Sequence, residues 1–310
     1  MHLRVISPAE TTEEVLSYLV AEPAVANLVV HRGAAVDPAG DVVIADVARE
    51  SANEVLRALK AMGLDKNGSI ALDAVGVALS SRGSEAEKAA PGAGDDAVVW
   101  EEIEQRTGEE SRLSVTFLLF LSIATVIAGI GVLLDQPILI VGAMVVGPEF
   151  GPLAALSVGV IRRRPRVIGR SLLALTVGFA VAIVVTVLST LALNAGGLIN
   201  REMLLGARPL TDFIWRPDAL SWVIAFLAGI AGILSLTTAK SGALIGVLIS
   251  VTTVPAAGNV AVAIAYGVPD EAWGSALQLG INLGAIATAG ILTLAVQRWL
   301  SRRRRPAARA

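Results

Sequence analysis

The stretch Gly142–Pro152 reads GAMVVGPEFGP and lies in the middle of a long apolar run. A helix crossing a bilayer is not expected to carry two prolines, three glycines and a glutamate at its centre. Proline removes a backbone donor and breaks the i→i−4 ladder. Amides and carbonyls freed in this way cannot face lipid, so they must face protein or a water-filled cavity. The stretch therefore separates a bundle of smooth helices from one with an interrupted span.

The surrounding composition is that of a membrane protein with a polar appendage. Hydrophobic residues make up 54% of the 310, and mean hydropathy is +0.68. Residues 1–112 hold 10 Lys and Arg against 20 Asp and Glu, net −10. Residues 113–310 hold 15 against 7, net +8, so the chain's −2 hides an acidic first third and a basic, apolar remainder. Apolar runs long enough for about 30 Å of hydrocarbon need about 20 residues. Six fit: 113–134, 137–161, 168–193, 219–238, 241–266 and 274–297. Twelve basic residues fall on one side, in RRRPRVIGR, at Lys240 and in the tail RWLSRRRRPAARA. The opposite loops hold three, Arg201, Arg208 and Arg216. The positive-inside rule then predicts that both termini are cytoplasmic. A re-entrant 137–161 would put Asp135 and the arginine cluster on one side and spoil that pattern, so a full crossing with a broken middle is expected.

The break recurs. AGIGVLLDQPILIVGAMVVGPEFGP (128–152) resembles AGIAGILSLTTAKSGALIGVLISVTTVP (228–255), with Gly142 matching Gly246 and Pro152 matching Pro255. Units of three spans each would be inverted with respect to one another. Interrupted spans at matching positions of inverted repeats point to a transporter's midplane site. The candidate ion or solute ligands are Gly147, Pro148, Glu149, Gly151 and Pro152 in the first break, and Thr252, Thr253 and Pro255 in the second. Asn259, Asn282 and Gln278 add polar groups. An ionised Glu149 at bilayer depth costs at least roughly 2.5 kcal/mol, so it must face the interior, protonated or paired. Two roles stay open for it: an ion or proton site, or a lock on the free amides of the broken helix. GINLG (280–284) predicts close helix packing, within the chain or between copies in a homo-oligomer.

The first third reads as strands LRVIS, AVANLVVHRG, DVVIADVA and SIALDAV, with helices in AETTEEVLSYLVAE and ESANEVLRALKAMG. Val15, Leu16, Leu19 and Val20 make one stripe, and Val55, Leu56, Leu59 and Met62 the other. Ser7 and Pro8 stand where a cap and an opening proline belong, Gly63 where a helix stops, and DPAG where a hairpin turns. The order β-α-β-β-α-β is the split βαβ, or ferredoxin-like, arrangement. A sensing domain and a mere assembly module both fit it. Residues 80–96 read as a linker. The segment 97–114 reads as an amphipathic helix, with Trp100 at the interface or packed on the α/β domain.

The chain thus divides into an α/β cytosolic domain (1–79), a linker and juxtamembrane helix (80–112), a transmembrane bundle (113–298) and a basic tail (299–310). Without cysteine, thiolate metal sites and Cys nucleophiles are excluded. His2 and His31 do not make a metal site, no Walker motif serves ATP, and one deep carboxylate cannot form an aspartyl dyad. No enzyme and no cofactor are expected. An acidic first domain repels nucleic acid, so the expected partners are the bilayer and a small solute or ion.

GAMVVGPEFGPLAAL, AGIAGILSLTT, GVLISVTTVPAAGNVAVAIAYG and GSALQLGINL together resemble the bacterial membrane proteins grouped as domain of unknown function 389. The resemblance covers about residues 97–297. It implies a bacterial inner-membrane location and brings no activity and no site residues. Two functions are carried forward: a secondary transporter or channel with its site between the broken spans, or a membrane-embedded structural or signalling protein. A water-filled cavity at the breaks distinguishes them.

Overall fold

The computed structural model describes residues 1–75, 79–90, 98–237 and 253–303. The chain divides into two compact units, the first holding Met1–Glu102 and the second most of 103–299.

In the first unit β1 (His2–Ser7), β2 (Val25–Val36), β3 (Ala39–Val47) and β4 (Ser69–Asp73) form an antiparallel sheet of order β2-β3-β1-β4. Helices α1 (Thr12–Ala21) and α2 (Ala52–Ala61) cover it, with the short α3 (Leu64–Asn67) leading into β4. Leu3, Val5, Val15, Leu19, Val43, Val55 and Leu59 form its core. Alternate strand residues and one helix stripe are thereby removed from water, the arrangement their spacing requires. Val20 belongs to the expected stripe but is 74% exposed, because the turn of the helix carries it past the sheet. Gly63, at φ 79°, ends α2 as expected.

Two expectations fail here. Ser7 and Pro8 do not open α1. The helix starts four residues later, and the Pro8 carbonyl instead accepts from the Thr11 amide and from the Thr11 and Thr12 hydroxyls. Local hydroxyl-to-backbone bonds have outcompeted the helix ladder. The expected linker also contains a helix, α4 (Ser81–Ala89). Ser80 caps it by accepting from the Gly83 amide at 3.1 Å, and Ala86 and Ala90 are buried. Residues 91–97 lie outside the described ones. At the start of α5 (Trp100–Glu110), the Asn53 side chain donates to Val98 O and accepts from the Trp100 amide. Val99 is buried with Ala52 and Leu56, so the start of this helix packs on the α/β unit.

In the second unit α6 (Val115–Leu133), α9 (Pro165–Ala195), α11 (Ala219–Thr237) and α13 (Pro269–Arg303) are each long and apolar enough to cross a membrane. The pair α7 (Pro137–Val146) and α8 (Phe150–Arg162) is bent by 54° at Gly147–Glu149, and counts as one further candidate span if taken together. Of the expected fifth span only α12 (Val254–Ala265) is described. Lys240, Gly246 and Thr252 lie outside the described residues, and so do Arg304, Arg305 and the residues after them. A short α10 (Arg201–Leu205) sits between α9 and α11. These apolar helices fit an integral membrane protein. α12 is buried from Val254 through Ala263 and packs against α6, α7 and α9. A helix apolar and buried on every side lies in a bundle interior.

α6 and α12 approach closely. A Cβ on Gly258 would lie 2.8 Å from the Gly129 amide nitrogen and 3.0 Å from Thr125 O. GINLG does not pack in this way. Among the described residues Gly280 and Gly284 meet nothing within 4 Å, because α13 turns other residues inward, with Ala289 and Ile286 against Gly229 of α11.

Candidate functional site

The break takes its shape from its own residues. α7 ends at Gly147, an extended residue, and α8 starts after its N-cap, Glu149. α12 starts in the same way after its N-cap, Thr253, and both helices carry a proline in the first turn, Pro152 and Pro255. Neither N-cap side chain caps its own helix. Instead the two meet: the Thr253 hydroxyl donates to Glu149 Oε1 at 2.8 Å. Both residues are fully buried. The carboxylate therefore lies between two helix N-termini, whose amide ends carry partial positive charge. Gly147 makes room for it, since a Cβ there would stand 2.5 Å from Glu149 Oε2 and 2.9 Å from Val254 Cγ2.

The other side of the break opens on a cavity of about 400 Å³. Gly147, Pro148, Phe150 and Gly151 form its floor, and Glu109, Arg112, Ser114 and Thr116 line it from the α5–α6 junction. Pro148 and Phe150 are half-buried, while Gly151 and Pro152 are buried. Of the residues expected at the first break, then, Gly147, Pro148 and Gly151 touch the cavity, Pro152 does not line it, and Glu149 faces Thr253.

Asn259 and Asn282 belong to a second polar group. Asn259 Nδ2 donates to Glu271 Oε1 at 3.0 Å and to Ser275 Oγ at 2.8 Å. Arg208 Nη2 donates to the same Glu271 oxygen at 2.5 Å, with both side chains nearly inaccessible. Gln278 Nε2 lies 3.5 Å from Asn282 Oδ1. Glu271, Ser275, Gln278 and Asn282 thus form one buried stripe along α13. Among the described residues, Arg208 Nε and Nη1, Asn259 Oδ1 and Gln278 Oε1 have no hydrogen-bond partner. Buried polar atoms of this kind normally hold water or a ligand.

The stripe leads toward the break. Asn259 meets Ser275, and six residues back along α12 stands Thr253, while seven residues on along α13 stands Asn282. At about 1.5 Å per residue these are steps of about 9 and about 10 Å, so Asn282 comes to the level of Thr253. Ala256 and Val254 share apolar clusters with Leu279 and Leu283, as this register requires.

Arg208 and Glu271 were not among the expected site residues. Arg208 stands in a loop and counted there as a topology charge, and Glu271 looked like a loop acid in GVPDEA. The legible signal was the 271, 275, 278, 282 spacing, a polar face at helical period inside an apolar helix. Nothing in the sequence ties Arg208 to it. Asp135, accepting from the Thr211 hydroxyl at 2.9 Å and the Leu210 amide at 3.1 Å, anchors the loop that delivers Arg208.

Residues 144–288 match the model of the family described as Domain of unknown function (DUF389), the family that the sequence resembles. An uncharacterized protein of Methanocaldococcus jannaschii is 26% identical over 207 residues, covering 65% of this chain. The match spans 62% of that relative's length, less than two thirds. No solved structure matches the chain.

Proposed function

We propose that this DUF389 protein is a secondary transporter or channel that moves a small solute or ion past the Glu149–Thr253 contact. The carrying observation is that two half-helices start at positions 104 residues apart and are joined by their N-cap side chains. That separation is the offset of the sequence repeat between Gly142 and Gly246. Residues near the axis of an inverted repeat meet their own equivalents, so the contact supports a 3+3 inverted architecture. The packing of α6 on α9, and of α11 on α13 through Gly229, fits it as well. On this reading Glu149 is the gate, with the 400 Å³ cavity below it and the stripe from Arg208 to Asn282 above it. The arginines after α8 and at the end of α13 favour a plasma-membrane protein with both termini and the cavity on the cytoplasmic side. The β-α-β-β-α-β order and the strand order support a ferredoxin-like cytosolic domain in a regulatory or assembly role.

A second reading has its own observation. The Glu149–Thr253 contact is direct and fully buried, as in a helix lock with no transport role. The cysteine-free chain allows a clean test. Single cysteines at Pro148 and Phe150 are exposed to a membrane-impermeant maleimide in right-side-out and inside-out vesicles, beside the exposed Val184→Cys on α9 as lipid-facing control. Transport predicts labelling of the first two from the cytoplasmic face only, and none of the control. Properly folded protein that labels from neither face leaves the lock. Labelling from the outer face alone reverses the assigned orientation.

A further inference from the structure

We propose that the junction of α8 and α9 is a binding site for a phosphate group, presented by an anionic phospholipid headgroup or free in solution. A cavity of about 680 Å³ lies there, lined by Arg163, Arg164, Arg166 and Arg170 with Glu104 and Thr107. Its charged lining is four guanidinium groups against one carboxylate. That carboxylate is already engaged, since Glu104 pairs with Arg162 and stands 3.8 Å from Arg164. Among the described residues Arg163, Arg166 and Arg170 have no carboxylate partner.

The backbone brings these groups together. Arg163 ends α8 in the left-handed conformation, φ 55°, and Pro165 opens α9 two residues later. The chain reverses within that turn, so arginines from both sides of it converge on one hollow. Gly159 allows α8 to lie against α9, since a Cβ there would come within 3.1 Å of Ile168 Cγ1. The N-terminal turn of α9 adds its positive end.

Arginines that only mark topology extend separately into the headgroup layer. Here four of them line one open hollow at the end of two apolar helices, the level expected for lipid phosphates. Planar guanidinium groups bind phosphate oxygens in paired hydrogen bonds. Basic pockets between helix ends are known to hold anionic headgroups. The inference does not depend on transport and survives if the maleimide test fails.

The test uses full-length protein in phosphatidylcholine nanodiscs with and without phosphatidylglycerol. Retained lipid is read by native mass spectrometry after release into detergent, and inorganic phosphate binding is read by calorimetry. The wild type is expected to retain phosphatidylglycerol over phosphatidylcholine, or to bind inorganic phosphate. Retention displaced by phosphate assigns a shared phosphate site, and retention indifferent to it assigns the headgroup. The Arg166→Gln/Arg170→Gln double variant should weaken whichever is bound roughly 20- to 30-fold, taking about fivefold per arginine near a charged surface. Arg216→Gln, remote from the cavity in sequence and exposed, should leave it unchanged. Equal retention of both lipids with no phosphate binding overturns the proposal. So does undiminished binding by the folded double variant.

Discussion

Replacing Thr253 by valine removes one hydroxyl and keeps the shape of the side chain. The lost bond is the 2.8 Å donation to Glu149 Oε1, between two fully buried groups. A hydrogen bond to a charged acceptor contributes about 1.5–3 kcal/mol, and a buried acceptor left unmet costs about 1–3 kcal/mol. A loss of about 2 kcal/mol is therefore expected. Gly147→Ala should break the same bond from the other side. Its Cβ would stand 2.5 Å from Glu149 Oε2, so the carboxylate, as the end of a flexible side chain, must move, and that movement should disturb its bond to Thr253. Because both substitutions remove one shared interaction, the double variant should fall short of the sum by about 1–2 kcal/mol. Thr253→Ser should stay near wild type. Equilibrium unfolding of the detergent-solubilised protein by titration with dodecyl sulfate, followed by tryptophan fluorescence, measures all four. Additivity within about 0.5 kcal/mol, the behaviour of independent sites, would refute the shared-bond account of the break.

Arg208→Met should destabilise the protein by about 3–5 kcal/mol by leaving Glu271 buried without its cation, and Arg208→Met/Glu271→Leu should regain much of that in the same unfolding assay. Gly258→Ala should cost about 1–3 kcal/mol, because its Cβ would press on the backbone of α6, whereas Gly280→Ala and Gly284→Ala should cost nothing measurable. In the α/β unit, the Gly33 amide at 2.7 Å, with Thr12 and Arg32, holds the Asp41 carboxyl below the usual carboxylate range. A depressed value stabilises the fold above the unfolded pKa of about 3.9 and loses that contribution as pH falls through the folded value. Protection of the β2 and β3 amides, taken relative to their intrinsic exchange rate at each pH, should therefore fall on acidification in the wild type, with a weaker pH dependence in Asp41→Asn.

By itself the sequence determined the interrupted helix. Proline and glycine act on the backbone within a residue or two, so Gly147, Pro148 and Pro152 mark the break without reference to any partner. Hydrophobic period did the same for α1, α2 and the long apolar helices, because burial of one face depends on spacing alone. The polar face of α13 was equally local, and could be read from the spacing of Glu271, Ser275, Gln278 and Asn282. The start of α1 and the helix at Ser81–Ala89 were not legible, since competing hydroxyl bonds and two buried alanines decide them by less than propensity can resolve. Only tertiary structure decided which side chains meet. Glu149 could have bonded its own helix or a cation, and the packing of α12 against α7 gave it Thr253. Arg208 is a solvated loop charge until the Asp135 anchor turns its loop inward to Glu271, and GINLG is a packing motif only if a helix lies against it. Such pairings span 63 to 104 residues of chain and are fixed by how whole helices dock, which no local pattern encodes.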